Sequence, residues 1–142
     1  MSSTQEVNKS LVSRYIDEVW HRKRIAVVDD FLAPEFRRYL SPLTPPLTLD
    51  GQKQRLEGFR AAFPDVQLKV ETMLAEGDRV AFRSTMRGTH EGEFQGIRPT
   101  GRKFTIYLLD EIRIQNGRFV EHWGGPDLFD LLKQLGASFT MK

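Results

Sequence analysis

The chain has 142 residues, with 21 Lys+Arg against 19 Asp+Glu and a formal net charge of +2. That length suits one domain with its own core, expected over residues 1–142; two would each be too small to be comfortable. The absence of cysteine excludes a disulfide scaffold, a thiolate metal site and a thiol nucleophile.

No apolar run approaches the roughly 18–20 residues of a membrane span, and the polar start from Met1 to Lys9 lacks an apolar signal region. A soluble, cytoplasmic protein with no membrane partner is expected. Ser3 and Glu6 form a capping box. Val7, Leu11, Val12, Tyr15, Ile16, Val19 and Trp20 then recur at helical spacing as one apolar stripe. Basic clusters at 21–24 and at Arg37-Arg38 sit beside Asp17, Glu18, Asp29, Asp30 and Glu35. They read as solvated faces, not as a track for nucleic acid.

A short second helix is expected over 25–32, stopped by Pro34, and 41–46 is a proline-rich loop. Asp50 is the expected cap of a third helix carrying Leu56, Phe59, Ala62 and Phe63 inward, ended by Pro64. Asp65 behind it reads as a turn residue. The period then changes to alternation: Val66, Leu68, Val70 and Thr72 share one face, and after a Gly77-Asp78 turn Val80, Phe82, Ser84 and Met86 face the core. A long strand spans 103–115. Asn116-Gly117 signals a hairpin, and its return strand ends near Gly124-Gly125-Pro126. Asp127 caps a last helix with Leu128, Leu131, Leu132 and Leu135 inward and Gly136 just past its end. Helices first and antiparallel strands after them define an α+β class: a curved antiparallel sheet wrapped around the amino-terminal helices, with a pocket between the layers.

The register of the last hairpin decides the site. A two-residue loop sets Gln115 against Arg118 and puts Glu121 opposite Ile112. A three-residue loop with Gly117 in a G1 bulge sets Ile114 against Arg118, Ile112 against Val120 and Asp110 against His122. Phe104, Ile106, Leu108, Asp110, Ile112 and Ile114 share a face, and only the second register adds Val120 to it. That choice predicts Asp110 and His122 as direct neighbours roughly 4.5–5.5 Å apart at Cβ. It leaves Glu111 facing Glu121 outside. A carboxylate among aliphatic groups is driven to protonate unless a base shares its proton. The imidazole makes the pair an acid–base couple. A buried pair that only satisfies itself is the bland reading at equal weight. One imidazole and one carboxylate are too few for zinc, and neither His21 nor His90 is spaced to complete a local motif.

The run Gly88-Thr89-His90-Glu91-Gly92-Glu93-Phe94, then 96–102, Asp110-Glu111-Ile112-Arg113-Ile114-Gln115-Asn116-Gly117-Arg118, Glu121-His122-Trp123 and Leu131-Leu132-Lys133-Gln134-Leu135-Gly136 resembles the SnoaL-like polyketide cyclase family. The resemblance extends loosely through the amino-terminal helices. It implies the nuclear transport factor two-like fold, an α+β cone with a deep apolar cavity, commonly a homodimer through the outer face of the sheet. It implies chemistry without metal or organic cofactor: ring closure of a polyketide by intramolecular aldol condensation. The cyclase acid–base aspartate falls two residues after the histidine corresponding to His122, where this chain has Gly124; the cyclase's partner histidine corresponds to Asp110. A related branch, cofactor-independent hydroxylases of aromatic polyketides, is more similar in having an aspartate and a histidine where Asp110 and His122 stand.

The resulting expectation is a cofactor-independent enzyme acting on an apolar aromatic or polyketide-like carbonyl compound. Asp110 takes a proton from carbon, and charged His122 stabilises the enolate. Phe104, Ile106, Leu108 and Ile112 line the cavity, and His90 stands at its mouth. Trp20 is expected in the core. Trp123, Tyr107 and Leu109 are expected in an apolar outer patch that serves a dimer. The rival is a non-catalytic binding or accessory dimer of the same fold, which Gly124 favours.

Overall fold

The computed structural model describes residues 3–140; Met1, Ser2, Met141 and Lys142, at the margins of the expected 1–142 domain, lie outside the described residues. Helix α1 (Thr4–Tyr15) starts where the Ser3 hydroxyl accepts from the Glu6 N–H at 3.2 Å. It widens into a π-helical turn, Ile16–His21. Val12, Tyr15, Ile16 and Val19 are buried, but Val7, expected in the same stripe, is exposed.

The expected helix over 25–32 breaks into a 3-10 turn (Ile25–Val27) and one turn of helix, α2 (Val28–Phe31). The chain then extends at once as strand β1 (Leu32–Tyr39). Pro34 lies inside that strand. It is tolerated because β1 is the sheet's edge, where a missing N–H need not break a ladder. Helix α3 (Leu49–Ala62) is capped by Thr48, whose hydroxyl accepts from the Gly51 N–H at 3.3 Å. Asp50, the expected cap, sits inside the first turn, where its charge suits the helix dipole.

Strands β2 (Gln67–Glu76), β3 (Arg79–Thr89), β4 (Lys103–Gln115) and β5 (Arg118–Pro126) follow, then helix α4 (Leu128–Gln134), where Asp127 accepts from the Asp130 N–H at 3.0 Å. The sheet order is β1-β5-β4-β3-β2. Three pairings are antiparallel, but β1 runs parallel to β5, so the expected antiparallel sheet is mixed. Val80, Phe82, Ser84 and Met86 alternate inward as their pattern requires. Register shifts in β2 and β5 mark bulges, which bend and twist a sheet. The inner face closes over α1 and α3 around Phe31, Phe36, Leu56, Phe63 and Ile112. An α+β cone results, its hollow between sheet and helices.

Candidate active site

The hairpin of β4 and β5 satisfies neither simple register. Asn116 and Gly117 both have positive φ (52° and 74°) and make a two-residue turn, with Gln115 opposite Arg118 and Ile114 opposite Phe119. The register then shifts, so that Arg113 faces Glu121 and Val120 is the extra residue of a bulge. Phe119 and Val120 are consequently buried side by side in sequence. The extra residue moves His122 onto the inner face opposite Ile112, while Asp110 faces Gly124. Asp110 and His122 are thus diagonal neighbours rather than the direct pair expected, and Ile112 does not meet Val120. They still bond: His122 Nε2–H donates to Asp110 Oδ1 at 2.8 Å. The bulge also removes the expected Glu111–Glu121 repulsion. Arg113 Nη1 instead donates to Glu121 Oε2 at 2.7 Å.

Parallel pairing of β1 with β5 sets Arg38 beside His122 on the same face. Arg38, only 1% exposed, donates through Nη1 to the carbonyls of His122 (3.1 Å) and Tyr39 (3.2 Å). Its Nη2 donates to the Gly124 carbonyl at 2.7 Å. Its Nε is buried without a partner, as are Asp110 Oδ2 and Gln52 Oε1. These groups face a narrow chamber of about 30 Å³, lined also by Tyr15, Trp20, Arg55, Leu68, Phe82, Met86, Leu108 and Pro126. Arg55 and Pro126 also line an adjoining vestibule of about 450 Å³ with Phe59, Phe94, Leu109, Gly125 and Leu128.

Burial pushes the His122 imidazole down to about 4, with the Arg38 charge acting in the same direction and the hydrogen bond to Asp110 opposing. His122 is therefore neutral near pH 7, and the expected imidazolium is replaced by guanidinium charge. Burial and then the Arg55 charge lower Arg38 to about 10, which leaves it protonated. Burial lowers Arg55 as well, with Tyr15 and Asp110 opposing. Tyr15 is raised by burial to about 12 and stays a neutral phenol.

Of the expected lining residues, Leu108 reaches the chamber. Ile112 is fully buried beneath His122, Ile106 is core, and Phe104 packs edge-on against Phe63 at 4.8 Å. His90 is not at a mouth. It is fully buried, its Nδ1 accepting from the Thr100 N–H (3.2 Å) and lying 3.0 Å from Thr100 Oγ1, where it pins the 90–101 loop. Asp65 is a turn residue as expected, accepting from the Thr89 N–H and hydroxyl at 2.7 Å each. Trp20, expected in the core, borders the chamber. Sequence reasoning missed Arg38, Gln52 and Arg55. The available signal for Arg38 was its alternation with Phe36 against Glu35 and Arg37.

Gly124 has φ of +84°, and a Cβ there would stand 2.1 Å from the Leu109 carbonyl oxygen. No side chain, aspartate included, fits this backbone unless it moves. Among the described residues, no group of three or more His, Cys, Asp or Glu can hold a metal ion. No helix there is long and apolar enough to cross a membrane.

A cone whose hollow holds a bonded carboxylate–imidazole pair, with a vestibule beside it, defines an α+β cavity domain. The family model for the SnoaL-like polyketide cyclase matches residues 10–135, and the chain belongs to that family. It is 31% identical over 114 residues to the nogalonic acid methyl ester cyclase of Streptomyces nogalater, covering 77% of this chain and 83% of that one. The crystal structure of AclR, a "putative hydroxylase" from Streptomyces galilaeus, superposes with a TM-score of 0.84 at 32% identity, over 98% of this chain and 91% of that one. TsrD from Streptomyces laurentii gives 0.83 at 26% identity, over 96% and 100%.

Proposed function

We propose that the chain is a cofactor-independent enzyme that enolises an aromatic or polyketide-like ketone, with Asp110 as the base. The observation that supports this is Asp110 Oδ2, buried and without a partner, while Oδ1 is fixed by His122. The chamber admits a functional group and the vestibule a ring system, since vestibule volume falls within the usual range for small ligands. The ligand's carbonyl edge enters the chamber. Asp110 Oδ2 takes the proton from the carbon beside the carbonyl, the C–H pair forms the enolate, and the oxyanion faces the Arg38 Nε–H. Neutral His122 holds the carboxylate in position. The enolate then adds to an internal carbonyl, the new alkoxide recovering the proton from Asp110, or it combines with dioxygen to a peroxide anion that takes the same proton from Asp110 to become a hydroperoxide.

The test is proton exchange at the α-carbon of 1-tetralone in deuterium oxide, followed by NMR. Asp110→Asn should slow exchange roughly 10²–10⁴-fold, the usual contribution of a positioned base, with binding little changed. Exchange at wild-type rate in Asp110→Asn and in His122→Ala, with only binding weakened, would favour a binding-only dimer. Gly124 is the observation on that side, because the residue that serves the cyclases as acid–base is absent.

The partner expected beside the ligand is a second copy of the chain. On the outer face of the sheet Leu74, Tyr107, Leu109 and Trp123 are exposed at 73%, 65%, 64% and 41%, and Trp123 stacks on Tyr39 at 3.9 Å. An apolar patch of this kind is suited to a two-fold contact.

A further inference from the structure

The charges that line chamber and vestibule do not balance. Two guanidiniums, Arg38 and Arg55, face one carboxylate, Asp110, and His122 adds no charge near neutral pH. The two cations also converge: a Cβ at Gly125 would lie 2.7 Å from Arg38 Nη2 and 3.9 Å from Arg55 Nη2. Arg38 spends both Nη groups on carbonyls of its own fold. Arg55 does not. Among the described residues it has no hydrogen bond and no ion pair, and its guanidinium lies 4.9 Å from the Phe59 ring centroid. Two guanidiniums lining one cavity repel each other, and an anion bound between them relieves that repulsion.

We propose that the cavity takes its ligand as a monoanion, with the negative oxygen held by Arg55 where the vestibule meets the chamber. The ligand class is an aromatic compound carrying an ionised carboxylate or an ionised enol or phenol. This rests on the reading of the cavity as the substrate site. It adds a requirement that reading does not contain: the substrate carries a standing charge before any proton is taken from carbon. Arg38 then answers the charge that develops, and Arg55 the charge that arrives. The unpartnered Gln52 Oε1, one helical turn from Arg55, is placed to accept from a neighbouring hydroxyl of the same ligand.

Isothermal titration at pH 7.5 with two matched pairs tests this. One pair is 1-hydroxy-2-naphthoate and its methyl ester; the other is 2-hydroxy-1,4-naphthoquinone, an ionised enol, and its methyl ether. The charged member of at least one pair should bind at least tenfold tighter, and which pair does so identifies the oxyanion. Arg55→Met, which keeps the apolar stem against Phe59, should erase that preference while leaving the neutral probes unchanged. Arg55→Lys should keep most of it, and raised salt should reduce it. Asp110→Asn should increase it by removing the one opposing charge, even where it abolishes turnover, so failure of the chemistry and failure of this inference are separately visible. Equal binding of charged and neutral members by the wild-type chain overturns the proposal. So does a preference that Arg55→Met leaves intact.

Discussion

Acid should loosen this fold through one residue before it reaches the surface carboxylates. His122 is buried, faces Arg38, and is displaced from 6.5 to about 4. Its folded state therefore favours the neutral ring, whereas the unfolded chain takes up a proton near 6.5. Between those values the unfolded state binds one more proton, so unfolding free energy rises with pH and falls as pH drops from about 6.5 to about 4. The gap between those two values corresponds to about 3 kcal/mol, of which roughly 2 to 3 kcal/mol is lost between pH 7 and pH 4.5. Urea unfolding at half-unit steps across that window measures it. His122→Gln should flatten the profile between pH 6.5 and 4.5. The ring's Cε1–H resonance in the native protein should titrate near pH 4. A native titration near 6.5, or a wild-type profile with the same slope as His122→Gln, would refute a neutral His122 and with it the assignment of the positive charge to the arginines.

Two further outcomes follow from the same geometry. Gly124→Ala forces a side chain onto a φ of +84° and a 2.1 Å approach to the Leu109 oxygen, at a cost of about 3 kcal/mol or more. Calorimetry should show a melting temperature lower by roughly 10 °C, whereas Gly77→Ala, with φ +58° in open space, should lose about 1–2 kcal/mol. Equal losses in the two variants would mean the bulge end of β5 is freer than described. Leu109→Asp on the outer sheet face should convert a dimer into a monomer in sedimentation velocity without changing the far-ultraviolet circular dichroism; an unchanged sedimentation coefficient would remove that face from the interface.

Much of the framework was legible because its signals are local. The Ser3 cap, the alternation through 79–86 and a hairpin at Asn116-Gly117 each depend on residues a few positions apart. All three appear in the structure, although the Ser3–Glu6 box forms only its Ser3 half and the loop has two residues where three were expected. What failed depends on pairings the chain makes at a distance. Leu32–Tyr39 contains a proline and three charged residues and has no strand-like composition. It is a strand because the edge of β5 is open to it. The hairpin register failed for a different reason: hydrophobic alternation reports which face a residue takes, and a bulge changes the face without changing the turn. The adjacent buried pair Phe119-Val120 is the trace such a bulge leaves in sequence, since strict alternation never buries two neighbours on one face.

The cations of the cavity were hidden by the same limit. Arg38, flanked by Arg37 and Glu35, reads as part of a solvated charge cluster. Its partners, the carbonyls of His122 and Gly124, lie 84 and 86 residues away. Gly124, which stands at the position of the cyclase aspartate, and its neighbour Gly125 also have a different meaning once Arg38 is in place. Gly124 supplies a carbonyl to Arg38 Nη2, and Gly125 lacks the Cβ that would stand 2.7 Å from that nitrogen. Where the family resemblance leads one to expect a carboxylate, this chain presents backbone to a buried guanidinium. The carboxylate proposed to take the proton is on β4, as Asp110, and the strand end beside it holds the Arg38 guanidinium. Substituting aspartate at 124 therefore cannot restore a cyclase-like site by side-chain chemistry alone, because the backbone that would carry it is already committed to Arg38.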